Sequence, residues 1–141
     1  MNKPRVLFLC NANSARSLMG EALLRHMAAE RFDAFSAGTE PDRPHELTLA
    51  VLQQQGIATD GLVSKSLDEF AGQHFDTVIV LCDKAQQACR DWEGSHTEHL
   101  YWDIRDPRLV DRENAYEQVL QEIRRRLSLW LELNERESAS Q

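Results

Sequence analysis

Val78-Ile79-Val80-Leu81-Cys82 is an unbroken apolar run of five residues, and no apolar run in the chain is longer. Such a run makes Thr77 to Leu81 the clearest strand of the chain, suited to a central place in a parallel sheet covered on both faces. It falls well short of the ~18 residues that a membrane-spanning helix requires. Arg5 to Leu9 reads the same way, as a buried strand that ends abruptly in polar and small residues. Phe32 to Ser36 is a weaker strand, stopped by Gly38 and Pro41, and Leu100 to Trp102 is a short last one.

Between these strands the pattern turns helical. After Ser17, residues Met19, Leu23, His26, Met27 and Glu30 share one stripe. His45 to Gln55 reads as a helix that Gly56 stops, and Ser66-Leu67-Asp68-Glu69 has capping-box spacing. Asp83 to Trp92 is polar and Ala/Gln-rich, enough for one or two helical turns. Tyr116, Val119, Leu120, Ile123, Leu127, Trp130 and Leu131 mark a final amphipathic helix, and Glu135 to Gln141 reads as a polar tail. Alternating strands and helices predict an α/β fold, a single open parallel sheet with helices on both faces. The 141 residues suit one domain.

Charge and cysteine usage narrow the function. With 16 Lys+Arg against 23 Asp+Glu, the net charge of −7 argues against a nucleic-acid partner. A small anionic substrate remains compatible, because backbone N–H groups can form a local nest for one. Lys3 and Arg5 precede Val6-Leu7-Phe8-Leu9, which is too short for the ~7–15 apolar residues of a secretory core. A cytoplasmic protein with no membrane partner is expected. Three cysteines do not suit a disulfide scaffold but permit catalytic thiols.

In open parallel sheets ligands bind beyond the carboxyl ends of the strands, where Cys10, Cys82 and Asp106 all fall. Cys10-Asn11-Ala12-Asn13-Ser14-Ala15-Arg16-Ser17 joins the first strand to the first helix. Small residues in such a turn can aim successive N–H groups at one tetrahedral oxyanion. Arg16 adds a planar cationic fork, and the same field favours the thiolate of Cys10. Ser17 can donate to that sulfur or cap the helix. A nucleophile, an oxyanion cradle and a cationic clamp thus lie within eight residues.

Cys10-x5-Arg16-Ser17, with Asn13 inside it, resembles the signature of the low-molecular-weight protein tyrosine phosphatase superfamily. Ser36-Ala37-Gly38-Thr39 and Asp106-Pro107 match it as well. The resemblance runs from Arg5 to about Leu131. It implies a four-stranded parallel sheet, Cys10 as nucleophile and Asp106 as general acid. The oxyanion site is implied to comprise the amides of Asn11, Ala12, Asn13, Ser14, Ala15 and Arg16, the Arg16 side chain and the adjoining Ser17.

Cys82 follows the central strand and Cys89 comes seven residues later. Phosphoester hydrolysis needs one thiol, whereas reducing an oxyanion needs two electrons, which a thiol pair supplies on forming a disulfide. Asp83 to Ala88 holds no proline or aromatic residue that would stop Cys82 and Cys89 from being brought together. Leu81-Cys82-Asp83 with Cys89, and Ser64-Lys65-Ser66-Leu67-Asp68-Glu69-Phe70, resemble the thioredoxin-coupled arsenate reductases of the same superfamily. That likeness implies a relay. Cys10 attacks arsenate while Asp106 protonates the departing oxygen, Cys82 attacks the Cys10–arsenic adduct, and Cys89 resolves the Cys10–Cys82 disulfide. Thioredoxin is the implied reductant, with glutaredoxin or a small thiol as alternatives, and no cofactor is implied.

Some positions depart from the family. Ala12 stands where glycine is usual, Ala15 replaces a cysteine, and Arg108 follows Asp106-Pro107 where tyrosine phosphatases carry Tyr. Lys65 lies where some relatives place an acidic group near a potassium site, so no obligatory metal is expected there. Two further readings are a phosphatase using Cys10 alone and a zinc module built on Cys82, Cys89, His96 and His99, whose spacings miss the common ones.

Overall fold

The structure, a computed structural model, describes residues 3–13, 15–92, 94–109 and 114–139. Four strands and four helices alternate: β1 (Arg5–Cys10), α1 (Arg16–Ala28), β2 (Asp33–Gly38), α2 (Glu46–Gln54), β3 (His74–Val80), α3 (Asp83–Asp91), β4 (Ser95–Tyr101) and α4 (Ala115–Ala139). Short 3₁₀ turns occupy Leu67–Phe70 and Pro107–Leu109. The sheet order is β2-β1-β3-β4 and every pairing is parallel. Leu9 lies opposite both Ala37 and Val80, so β1, β2 and β3 end at one edge.

The central strands are apolar without a break from Val6 to Cys10 and from Val78 to Val80 because each face has its own core. Val6, Phe8 and Cys10 pack with α1 and α4, while Leu7 and Leu9 pack with Phe70, Phe75 and α3. Along α4, Val119, Leu120, Ile123, Leu127, Trp130 and Leu131 are buried and Tyr116 is half-buried, as the periodicity predicts. The capping box also forms, with Ser66 and Glu69 closing the first 3₁₀ turn.

Three readings change. His26 and Glu30 face solvent, while Arg16 to Leu24 are buried without a break, since β2, α2 and α4 all contact α1. β4 begins at Ser95 rather than Leu100. It is a polar edge strand, exposed from Ser95 to His99, held by backbone pairing to β3 rather than by an apolar pattern. The stretch from Glu135, read as a tail, continues α4 to Ala139. No helix among the described residues is long and apolar enough to cross a membrane.

α1 lies so close to β1 that a Cβ on Gly20 would sit 2.5 Å from the Phe8 ring, itself fully buried. Gly20→Ala is expected to cost about 1–3 kcal/mol through overpacking. Urea unfolding should show a lower midpoint at an unchanged slope. A wild-type midpoint would contradict this packing.

Candidate functional site

β1 delivers Cys10, 2% exposed, to the sheet edge, where its Sγ lies 2.9 Å from Ser17 Oγ. Ser17 Oγ also donates to Asn13 Oδ1. A hydroxyl has one hydrogen to share between these neighbours. While it points at Asn13, the Cys10 thiol is the donor to Ser17; once the sulfur is ionised, the hydrogen turns to the sulfur. Asn13 Nδ2 is buried without a hydrogen-bond partner. A half-turn of that amide presents Nδ2 to Ser17 Oγ and leaves the hydroxyl hydrogen for sulfur.

The loop after Cys10 is held from behind. The carbonyl of Cys10 accepts from Thr39 N, Asn11 O from Glu40 N, Ala12 O from Asp42 N, and Asn13 O from the Ser64 hydroxyl. In a trans peptide the C=O and N–H point in opposite directions. Carbonyls anchored outward therefore turn the N–H groups of Asn11, Ala12 and Asn13 to the other face. The left-handed residue here is Asn13 (φ 48°), not Ala12, so alanine at position 12 meets no backbone strain. Gly38 permits the close approach of β2, since a Cβ there would lie 2.6 Å from Asn11 O and 2.8 Å from Asn13 N. Ala15 is buried before α1 and provides no side-chain cap. Ser14 lies outside the described residues.

Arg16 opens α1 and is almost buried. Nη1 donates to Ile104 O at 3.0 Å and Leu81 O at 3.4 Å, and Nη2 lies 3.5 Å from Asp106 Oδ2. Asp106 also receives the Arg108 side chain, with Nη2 at 2.9 Å from Oδ2 and Nε at 3.2 Å from either oxygen, and Arg108 N at 3.0 Å. Burial pushes the Asp106 carboxyl up, but the Arg108 hydrogen bonds and the Arg16 charge outweigh it and hold it below the ordinary aspartate value.

On α1, Glu21 is fully buried. Its Oε1 accepts from Ser36 Oγ and lies 4.0 Å from Lys65 Nζ. Oε2 faces Arg25 Nη1 at 2.7 Å, a charge contact outside hydrogen-bonding alignment. Lys65 thus puts an ammonium beside the buried carboxylate. Neither Glu21 nor the Ser64 strap is marked as functional by the sequence, because nothing in their local pattern reveals these tertiary contacts.

Cys82 caps α3 at the end of the strand beside β1, and Cys89 is buried beneath that helix with Ala85, Phe70 and Phe75. Burial pushes the Cys82 thiol up against the opposing pull of the Ala85 N–H and the Arg16 charge; the nearby Cys10 adds to the rise. Burial also raises Cys89. All three cysteines are free. His96 and His99 meet edge to face on exposed β4, and His99 Nε2 bonds Gln86 Oε1. Among the described residues, no group of three or more His, Cys, Asp or Glu is placed to hold a metal.

A parallel sheet with a cysteine loop and an arginine–aspartate pair at its edge is the architecture of cysteine-based phosphatases. Residues 5–140 match the low molecular weight phosphotyrosine protein phosphatase family, and the chain belongs to it. A glutaredoxin arsenate reductase of Synechocystis sp. is 30% identical over 105 residues, 73% of this chain and 78% of that protein. An arsenate reductase of Halalkalibacterium halodurans is 31% identical over 107 residues, 76% of each chain. The thioredoxin-dependent arsenate reductase of Corynebacterium glutamicum superposes with a TM-score of 0.73 at 28% identity, covering 99% of this chain. This chain spans 64% of that protein's length.

Arg108 holds Asp106 ionised, so removing it should raise the Asp106 pKa. Carbon-13 NMR titration of the Asp106 carboxyl in Arg108→Met is expected to give a midpoint at higher pH than wild type. An unmoved midpoint would contradict the assigned ion pair.

Proposed function

We propose that the chain reduces arsenate to arsenite through Cys10, Cys82 and Cys89, with thioredoxin restoring the thiols. The observation that carries this reading is a second free thiol, Cys82, within the electrostatic reach of Cys10 and Arg16, with a third on the helix that follows it. Cys82 lies at the end of the strand adjacent to that of Cys10, and Cys89 lies two helical turns further on. Hydrolysis has no use for either. Kinship with named arsenate reductases supports the same assignment.

In this mechanism the oxyanion enters the loop against the N–H groups of Asn11, Ala12 and Asn13, with Arg16 as the cationic fork. Ser14 and Ala15 complete the loop, and Ser17 donates to the ionised Cys10. Cys10 attacks arsenic as one oxygen leaves, protonated from Asp106. The arginines that hold Asp106 ionised gain the oxyanion as a competing acceptor, which lets the carboxyl carry a proton. Cys82 then attacks Cys10 Sγ; the S–As electron pair passes to arsenic, arsenite departs and a Cys10–Cys82 disulfide remains. Cys89 attacks Cys82 Sγ and releases Cys10 as thiolate. A dithiol of thioredoxin reduces the Cys82–Cys89 disulfide. The thiols supply both electrons, so the scheme requires no metal or bound cofactor. It suits a cytoplasmic setting, where thiols are kept reduced.

The loop suits phosphate as well, so phosphate competes with arsenate, and slow phosphoester hydrolysis through Cys10 is the second reading. The deciving test couples arsenate-dependent NADPH oxidation, with thioredoxin and thioredoxin reductase, to a parallel assay of phenyl phosphate hydrolysis. Cys10→Ser is expected to abolish both activities. Cys82→Ser should abolish reduction and spare hydrolysis. Cys89→Ser should release one arsenite per chain and then stop. Hydrolysis without arsenate turnover, with either thioredoxin or glutaredoxin as donor, would assign the chain to the phosphatases instead.

A further inference from the structure

Cys89 cannot reach Cys82 while α3 is intact. Seven helical residues separate them by about 10 Å along the axis, whereas a disulfide requires Cα atoms within about 7 Å. The first two turns of α3 must open for the thiols to meet. Those turns are fastened from outside the helix. Tyr101 donates its hydroxyl hydrogen to Asp83 Oδ1 at the first residue of α3, and His99 Nε2 donates to Gln86 Oε1 at 2.8 Å, one turn on. Both donors stand on β4, whose backbone is fixed by its ladder to β3. The hydrogen bond to Asp83 pushes the Tyr101 hydroxyl up to about 12, so it remains a donor at neutral pH.

We propose that Tyr101 and His99 are positioning residues that latch α3 to β4 and thereby set how readily Cys89 reaches Cys82. The inference rests on the thiol relay proposed above. The step they govern is attack of the Cys89 thiolate on Cys82 Sγ of the Cys10–Cys82 disulfide, which forms the Cys82–Cys89 bond and expels the Cys10 thiolate. The latch belongs to the closed dithiol state, and opening breaks it. Its loss therefore favours the disulfide.

Tyr101→Phe removes one hydrogen bond without altering α3 or any thiol. It should favour the Cys82–Cys89 disulfide about fivefold, the effect of one ordinary net hydrogen bond at an exposed site. For a two-electron couple that makes the potential about 20 mV more negative. The potential is read by equilibrating the protein with thioredoxin or glutathione buffers. In the reduced protein, amide hydrogen exchange of α3 should accelerate by a similar factor, and phenyl phosphate hydrolysis should keep its wild-type rate. His99→Phe should move both readouts in the same direction. An unchanged potential in Tyr101→Phe overturns the proposal, whether or not α3 exchange accelerates. Failure of the wild-type protein to form a Cys82–Cys89 disulfide on arsenate addition would instead strike the relay itself, since both latch readouts are taken without arsenate.

Discussion

The buried guanidinium of Arg16 is the group on which the site's arrangement depends. Its side chain is 8% exposed, and taking such a charge out of water costs several kcal/mol unless its donors are satisfied. The carbonyls of Leu81 and Ile104 and the carboxylate of Asp106 meet that demand. Leu81 follows β3, Ile104 and Asp106 lie beyond β4, and Arg16 itself opens α1. One side chain therefore pins three segments, remote in sequence, at the edge where Cys10 ends β1. Removing its carboxylate partner would leave an unpaired buried charge, a loss of about 3–5 kcal/mol in comparable cases.

Around that fixed charge the three thiols have different degrees of freedom. Cys10 is set by a strand end and by a loop whose carbonyls are tied down by Thr39, Glu40, Asp42 and Ser64. Cys82 lies at the junction of a strand and a helix, where the N–H groups of Lys84 and Ala85 partly offset its burial. Cys89 is packed in the smaller core under α3. Oxyanion binding can thus occur on rigid elements, and only the transfer of the disulfide calls for a conformational change. That division suits chemistry in which the first step needs a preorganised cradle and the last needs reach.

Much of this was legible in the sequence because it is written in local pattern. Apolar runs at Val6 and Val78 located the central strands, and the stripe from Val119 to Leu131 located the core face of α4. Cys10, Arg16 and Asp106 fell at the ends of elements that could be read, so the sheet edge that gathers them could be anticipated. β4 was largely missed because an exposed edge strand needs only a backbone neighbour, and Ser-His-Thr-Glu-His carries no alternation to read. The supports of the loop were missed for a related reason. Ser64 reaches Asn13 O from 51 residues away, Glu21 meets Ser36 and Lys65 through tertiary contacts, and Arg108 closes on Asp106 through a turn whose geometry the sequence does not reveal.

The most direct test of the thiol relay is a thiol count after a single turnover. Reduced protein would be mixed with excess arsenate without any reductant, quenched in alkylating agent and mapped by mass spectrometry. The relay predicts one arsenite released per chain, a Cys82–Cys89 disulfide, and Cys10 as the sole alkylated cysteine of the three. Three alkylated cysteines with no arsenite released would contradict it and leave Cys82 and Cys89 as packing residues of a phosphatase.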